Sequence, residues 1–278
     1  MPRLSITVLT LLTITTYVCA QMQPVIAGNE GEGAVDWGQR VIVATGIGAP
    51  NPNLPESAQR PAALRAAQQI ALRNALETMK GIYLNSTTTI ENFMTKSDVV
   101  SSRISGFLQD FQQKGRPRYM SDGTVEITME IPLDGTNGFG QELYTGQVGE
   151  SPSMTSFQGN AAKSSTVFSG LIVDCKDLGI KPAMSPRILD NDGREVYGSA
   201  YVSKSWAVKH GIVGYSKSVS DAAKLDRVGD TPGRIKAVKA AGQNSTDVVI
   251  SQRDAADIRS ASENLSFLSQ CRVVFIID

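Results

Sequence analysis

The 278-residue sequence has little of what catalytic sites are usually built from. It contains one histidine and three cysteines, and its 27 basic side chains balance 27 acidic ones. A lone histidine, His210, excludes a metal site with two imidazole ligands. The nucleophile motifs G-x-S-x-G and S-x-x-K are both missing. Balanced charge gives no electrostatic basis for binding nucleic acid. We therefore predict that the protein is not an enzyme and that it has no catalytic, cofactor-binding or metal-binding residues and no nucleic-acid partner. The alternative is a carboxylate or His210 that folding brings into a site.

Long hydrophobic runs are also scarce, and the one at the start is typical of a secretory signal peptide. Residues 1–20 combine a basic start, an apolar stretch and a small residue, Ala20, at the cleavage position. The threonines in this stretch leave it short of the ~20 apolar residues that a membrane-spanning helix needs, and no later stretch reaches that length. We predict an exported protein, periplasmic or facing the outside, without a transmembrane segment after signal removal. A lipid anchor at Cys19 is less favoured, because the bulky Tyr17 and Val18 precede it.

Signal removal would leave two cysteines, Cys175 and Cys271, in strand-like runs that could be neighbours in one sheet. An oxidising compartment permits a disulfide between them. Two buried thiols are the alternative, because free cysteine behaves as a small apolar residue. The sequence does not give the Cα separation that decides between the two.

Residues 38–133 contain the clearest periodicity in the chain. An apolar arc at helical spacing predicts an alanine-rich helix over about 58–80 that lies close on a sheet. Alternation of apolar and polar residues over 124–133 predicts a half-buried strand, and the run over 40–45, apolar on both faces, predicts a central one. The helical arc comprises Leu64, Ala67, Ala71, Leu72, Ala75, Leu76 and Met79.

Weaker patterns complete the order β-α-β-α-β-β in this region. Thr95 and Asp98 have the spacing of a capping box before a second helix. Asp122-Gly123 predicts a tight hairpin turn before the last strand. The predicted elements are strands over 40–45, 82–90, 110–120 and 124–133, and helices over about 58–80 and 96–109.

Two short motifs resemble ligand sites but lack essential parts. The run from Gly46 to Gly48 could begin a dinucleotide fingerprint, but Asn51 stands where the third glycine belongs. The run 190–193, Asp-Asn-Asp-Gly, matches the middle of a calcium loop, but Ile188 and Ser199 stand at the positions of the first ligand and the bidentate acid. We predict a turn at the first motif and a hairpin at the second.

The sequence V-A-T-G-I-G-A-P, the helix A-L-R-A-A-Q-Q-I-A-L-R-N-A-L-E and the segments G-I-Y-L-N-S-T-T-T-I and D-G-T-V-E-I-T-M-E-I-P-L carry a family resemblance. Residues 38–133 resemble the bacterial LPP-twenty lipoprotein family, which includes the N-terminal domain of flagellar assembly protein T and the related flagellar protein P. The resemblance implies an envelope protein that assembles at the outer membrane or the flagellar base. It carries no enzymatic residues.

The remaining segments divide the chain further. Polar, glycine-rich residues 21–37 predict a flexible leader, and residues 134–165 a Gly/Ser-rich linker. A second α/β domain is predicted over 166–278, with a capping box at Ser251 and Asp254 before a helix over about 252–268. Its last apolar run, from Cys271, is predicted to be an interior strand.

We therefore predict an α+β protein of two small mixed-sheet domains, each with helices packed on its sheet. The expected function is structural or in assembly, with protein partners in a bacterial envelope and a homo-oligomer as one form of that assembly. The alternative is a periplasmic ligand-binding or catalytic module that uses a cleft between the domains.

Overall fold

The computed structural model describes residues 25–29, 32–109, 115–144, 167–260 and 262–278. The protein is α+β, as predicted, with helices packed on several small sheets. The predicted signal peptide and residues 145–165 of the predicted linker lie outside the described residues. Within the described part of the chain, no helix combines the length and the apolarity needed to cross a membrane.

The first half is built on an antiparallel five-stranded sheet. Its strands are β1 (Ile26–Asn29), β2 (Gly33–Asp36), β3 (Val41–Gly48), β4 (Arg118–Tyr119) and β5 (Val125–Pro132). The order across the sheet is β1-β2-β3-β5-β4, so β3 is central, as its apolar sequence predicts. Strand β5 alternates buried and half-buried residues along its whole length, which confirms the predicted alternation.

Helix α1 (Glu56–Gly81) packs on this sheet through very small residues. Its fully buried positions are spaced four residues apart: Ala63, Ala67, Ala71, Ala75 and Met79. Opposite them lie Gly46 and Gly48, where an added Cβ would collide with the backbone oxygens of Ala67 and Ala63. The predicted turn at these glycines is therefore wrong. They lie within β3 and allow the helix backbone to approach the strand.

The predicted strand over 82–90 is also wrong. Because Leu84 N–H donates to Thr88 O and the Asn85 side chain accepts from Thr87 N–H, the chain folds back on itself in a tight loop. Only isolated bridges remain, from Tyr83 to Thr89 and to Ala183.

Two helices follow this loop. They are α2 (Ile90–Thr95), which the sequence did not predict, and α3 (Asp98–Gln109). The predicted capping box of α3 does not form, because Thr95 Oγ1 donates to Glu91 O and it is Ser97 Oγ that accepts from Val100 N–H. The predicted helix itself is confirmed, and its Ile104 and Leu108 are buried. Of the predicted strand over 110–120, residues 110–114 lie outside the described part.

The hairpin before β5 forms as predicted. Gly123, at φ +84°, donates its N–H to Met120 O, and the Asp122 carboxylate accepts from Thr124 N–H. A short helix, α4 (Phe139–Tyr144), then follows β5.

The second half contains a parallel four-stranded sheet and a smaller mixed one. The strands are β6 (Leu171–Asp174), β7 (Ile188–Leu189), β8 (Glu195–Tyr197), β9 (Gly214–Ser216), β10 (Gly233–Lys236), β11 (Lys239–Ala241), β12 (Asp247–Val249) and β13 (Val273–Ile276). The helices are a 3₁₀ turn (Ser199–Tyr201), α5 (Lys204–His210), α6 (Val219–Ala222), α7 (Gln252–Ser260) and α8 (Ser262–Ser269).

The parallel sheet has the order β10-β6-β13-β9, so β13 is interior, as predicted. Alternate residues of β6 and β13 face two separate apolar clusters, which explains why both strands are apolar without alternation. The smaller sheet has the order β11-β12-β7-β8.

Two further local predictions for the second half are confirmed. The run 190–193 forms the hairpin turn between β7 and β8, with Gly193 N–H donating to Asp190 O. The capping box also forms, because Ser251 Oγ accepts from Asp254 N–H at 3.1 Å and donates to the Asp254 carboxylate at 2.7 Å.

The two halves share one hydrophobic core. It includes Trp37, whose ring meets that of Tyr215 edge-on at 5.3 Å between centroids, and Tyr144, whose hydroxyl donates to Met184 O at 3.0 Å. Two corrections follow. Ile26–Asn29 and Gly33–Asp36 form two strands of the sheet where a flexible leader was predicted, and Phe139–Tyr144 form a buried helix where a linker was predicted. Composition gave the wrong prediction in both places, because glycine-rich segments also pair as strands or pack as helices when a neighbouring surface covers them.

Candidate functional site

A cleft of about 350 Å³ lies where the two halves meet, and it collects charged side chains from both. The first half contributes Arg40, which precedes β3, and Asp134, which follows β5. The second half contributes Lys209 and His210 at the end of α5, and Arg227 after α6. Apart from His210, none of these was singled out by the sequence analysis.

Arg40 and Asp134 form a bidentate ion pair at the floor of the cleft. The guanidinium Nε lies 2.6 Å from one carboxylate oxygen and Nη2 lies 2.9 Å from the other. Their side chains are only 13% and 11% exposed. The pairing of Val41 with Pro132 brings the two together, because it places the start of β3 beside the end of β5. Although burial opposes the charge of Arg40, Asp134 outweighs it and raises the pKa of Arg40 above its ordinary value.

The second half lies directly on this ion pair through Gly211, the residue after α5. Gly211 has φ +69°, and an added Cβ would collide with Arg40 Nη2 and lie 2.9 Å from an Asp134 oxygen. A backbone bond, from Gly135 N–H to Val208 O at 2.7 Å, holds the same contact. Glycine is therefore required at 211 both by its backbone conformation and by the space available.

Arg227 is the second buried guanidinium, and its hydrogen bonds go to backbone carbonyls. It donates to His210 O, Gly211 O and Cys271 O at 2.6, 2.6 and 2.7 Å. Within the described residues no carboxylate forms an ion pair with it. Burial lowers the pKa of Arg227, with a further contribution from Arg40. An arginine still keeps its proton at neutral pH. Its positive charge is therefore solvated by dipoles, without a neutralising partner.

His210 lies between these cations, with its ring stacked on Trp206 at 5.1 Å between centroids. Burial lowers the pKa of His210, and the neighbouring Arg227 and Lys209 lower it further, so the imidazole is neutral at pH 7. Its Nε2 is buried without a hydrogen-bond partner, and so is Arg40 Nη1. With neutral His210, the charged side chains that line the cleft are three cations and one carboxylate.

This arrangement favours binding over catalysis. Both oxygens of Asp134 accept hydrogen bonds from Arg40, so the carboxylate is held by a structural partner. The nearest thiol, Cys271, is buried, and burial raises its pKa to about 12, so it is protonated at neutral pH. In the described ranges no group of three or more His, Cys, Asp or Glu side chains is placed to hold a metal ion.

The two cysteines are free and buried, and they are too far apart to bond. Strands β6 and β13 run parallel with Leu171 opposite Val273, which places Cys271 level with residue 169 and Cys175 beyond the other end of β6. The offset from 169 to 175 corresponds to roughly 20 Å along the strands. A disulfide needs a Cα separation below about 7 Å. The disulfide alternative is therefore wrong for this pair, and the buried-thiol alternative is the one observed.

A second cavity, of about 330 Å³, lies where β1 and β2 meet the end of α1, and Trp37 is among the residues that line it. Its lining is mostly apolar and includes Ala27, Val35, Ile82 and Pro182. Only Glu77 and Lys181 bring charge to its rim. This apolar groove differs from the cleft in chemistry, and it lies beside the edge strand β1.

Comparison with known proteins finds a family match in the second half. Residues 170–278 match the family described as the second domain of Treponema pallidum Tp0624. The sequence analysis recognised no family for this half. No curated protein matches the chain. The resemblance of residues 38–133 to the LPP-twenty family finds no support in these comparisons and stays a prediction. The shown similarity is therefore that of residues 170–278 to one domain of a treponemal protein.

Proposed function

We propose that this protein is a non-enzymatic, exported component of a bacterial envelope with a role in structure or assembly. The signal-peptide pattern of residues 1–20 supports export. The similarity of residues 170–278 to a domain of a Treponema pallidum protein supports a bacterial origin. The engaged carboxylate and the protonated thiol of the cleft support a role without catalysis.

The observation that carries the assembly role is the edge of the five-stranded sheet. Among the described residues, β1 has one strand neighbour, β2, and its Ile26 side chain is 41% exposed. An edge strand presents backbone N–H and C=O groups to which a partner strand can pair. The apolar groove lies beside β1, so side chains of a partner strand would have a surface to cover.

The occupant that we propose for this edge is an extended segment of another envelope protein. The resemblance to the LPP-twenty family supports a location at the outer membrane or the flagellar base. A second copy of this chain is the other form of the same assembly, and it would give a homo-oligomer joined edge to edge.

Site-specific crosslinking in the native cell tests this role. A photoreactive amino acid at Ile26 should form a discrete crosslinked species, and mass spectrometry should identify either an envelope protein or a second copy. The same amino acid at Val238, which is 53% exposed and lies between β10 and β11, is the matched control. Equal yields at the two positions, or none at Ile26, would contradict assembly through this edge.

Ligand binding in the cleft is the second candidate function. The surplus of cationic side chains and the two buried nitrogens without partners favour it. It does not depend on the sheet edge, because no residue of β1 is among those that line the cleft.

A further inference from the structure

The cleft between the halves has more positive charge than its fold requires. Asp134 neutralises Arg40, but among the described cleft residues no carboxylate pairs with the half-buried Arg227, and the exposed Lys209 adds a further positive charge at the rim. Buried charges in proteins are normally paired, because the protein interior solvates them poorly. The surplus of positive charge in the cleft is therefore not explained by the packing of the two halves against each other.

Side chains of the same cleft have polar atoms without hydrogen-bond partners. Three buried side-chain atoms in the described residues have no hydrogen-bond partner, and two of them, Arg40 Nη1 and His210 Nε2, belong to side chains that line this cleft. A guanidinium has five N–H groups, and Arg227 uses three of them on backbone carbonyls. Buried polar groups normally find partners, so the remaining N–H groups of the two guanidiniums are suited to a ligand with several acceptor oxygens.

We infer that the cleft binds a small molecule through an oxyanion, a carboxylate or a phosphate group, held by Arg40, Arg227 and Lys209. Guanidinium groups match the geometry of these oxyanions and form charge-assisted hydrogen bonds with them. A cation is disfavoured because the single carboxylate is already engaged. A neutral ligand would leave the surplus charge uncompensated.

The size and walls of the cleft limit the rest of the ligand. A volume of about 350 Å³ is at the lower end of small-molecule sites. Tyr215 and Leu225 give it an apolar side opposite the cations. A compact metabolite of a few carbon atoms, or inorganic phosphate itself, fits these limits, whereas a polymer would have to leave most of its length outside.

His210 provides a direct readout, because it is the only histidine in the chain. Its imidazole gives one set of ring resonances in an NMR spectrum. The groups that set its titration are Arg227, Lys209, Asp134 and Arg272, together with its burial. A bound anion adds negative charge beside the ring, so it should raise the pKa of His210.

The experiment is a titration of the full chain at constant ionic strength, with inorganic phosphate in one arm and succinate in the other. The His210 ring resonances should shift and saturate with at least one probe, and the pKa of His210 should rise when that probe is bound. The arm that saturates at the lower concentration distinguishes phosphate from carboxylate. Absence of saturation in both arms would overturn the inference.

Two variants with the same charge change separate a site from general charge screening. Lys209 is exposed at the rim, so Lys209→Gln should keep the fold and weaken binding about two- to fivefold. Lys239→Gln removes an exposed lysine from β11, away from the cleft, and should leave the affinity unchanged. Equal weakening in both variants would overturn the inference. Its failure leaves the assembly role untouched, because crosslinking at Ile26 does not depend on the cleft.

Discussion

The two halves of the molecule are stabilised in different ways. In the first half, the alanines of α1 pack against glycines of the sheet, so the close contact of helix and sheet requires very small side chains. In the second half, buried carboxylates take part: Asp247 binds Arg187 and Asp190 binds Arg259, and both carboxylates have side chains with no exposed surface. The first half should therefore be most sensitive to added atoms, and the second half to lost charges. The cleft between them combines both, because Gly211 lies on the Arg40–Asp134 pair.

The largest effect is expected at that ion pair. Asp134→Asn leaves the Arg40 guanidinium buried without its counter-charge and should lower the free energy of unfolding by about 3–5 kcal/mol. Glu126→Gln breaks a pair with Arg118, whose side chain is 70% exposed, and should cost less than about 1 kcal/mol. Urea denaturation of both variants measures the difference. Equal losses would mean that the buried charge of Arg40 does not depend on Asp134.

The next effect tests the close contact of helix and sheet. Gly46→Ala places a methyl group against the backbone of Ala67 and should cost about 1–3 kcal/mol. The same substitution at Gly106, an exposed position in α3 with open space around it, should stabilise the protein by up to about 1 kcal/mol. Thermal and urea denaturation measure both the expected loss of stability and the expected gain. A neutral Gly46→Ala would contradict the tight packing.

A smaller effect on stability is expected at the two capping boxes that the sequence predicts. Ser251→Ala removes the cap of α7 and should cost about 1 kcal/mol. Thr95→Ala should change the unfolding free energy by less than about 0.5 kcal/mol, because the hydroxyl of Thr95 does not cap α3. Similar losses at the two sites would show that α3 begins at Thr95 after all.

The smallest effect concerns pH. The pKa of His210 is lowered from its ordinary value of 6.5, so the unfolded chain binds the proton more tightly than the folded one. This group leaves stability unchanged well above pH 6.5 and reduces it as the pH falls below that value. His210→Gln should therefore make the melting temperature less dependent on pH between about 7.5 and 5. An unchanged slope would place His210 in a more open environment.

Local patterns in the sequence predicted what depends on local physics. The alanine-rich helix, the alternation in β5, the hairpin at Asp122-Gly123 and the cap at Ser251 all follow from interactions between residues close in the chain. The interior position of β13 followed from its apolar composition. Each of these features would form in much the same way against any suitable neighbouring surface.

The cleft could not be predicted in this way, because it is made by distant residues. Arg40 and Asp134 are 94 positions apart, and Arg227 joins them from the segment after α6 in the second half. One signal was present: a basic residue opens an apolar strand, and an acidic residue follows the strand that pairs with it. The predictions for the leader, for the strand over 82–90 and for the start of the linker were wrong for a related reason, since the structure of these segments depends on the surfaces that they meet.

Tyr144 is the last residue of the buried helix α4, and the Tyr144 hydroxyl donates a hydrogen bond to Met184 O in the other half. The covalent connection between Tyr144 and Val167 is therefore not what keeps the halves together. A protease site engineered there should give two polypeptides that migrate as one species in a native gel and separate only in denaturant. When the two pieces are expressed from separate genes, they should associate and restore the native fold. The protein could then be used as a split reporter of its own assembly.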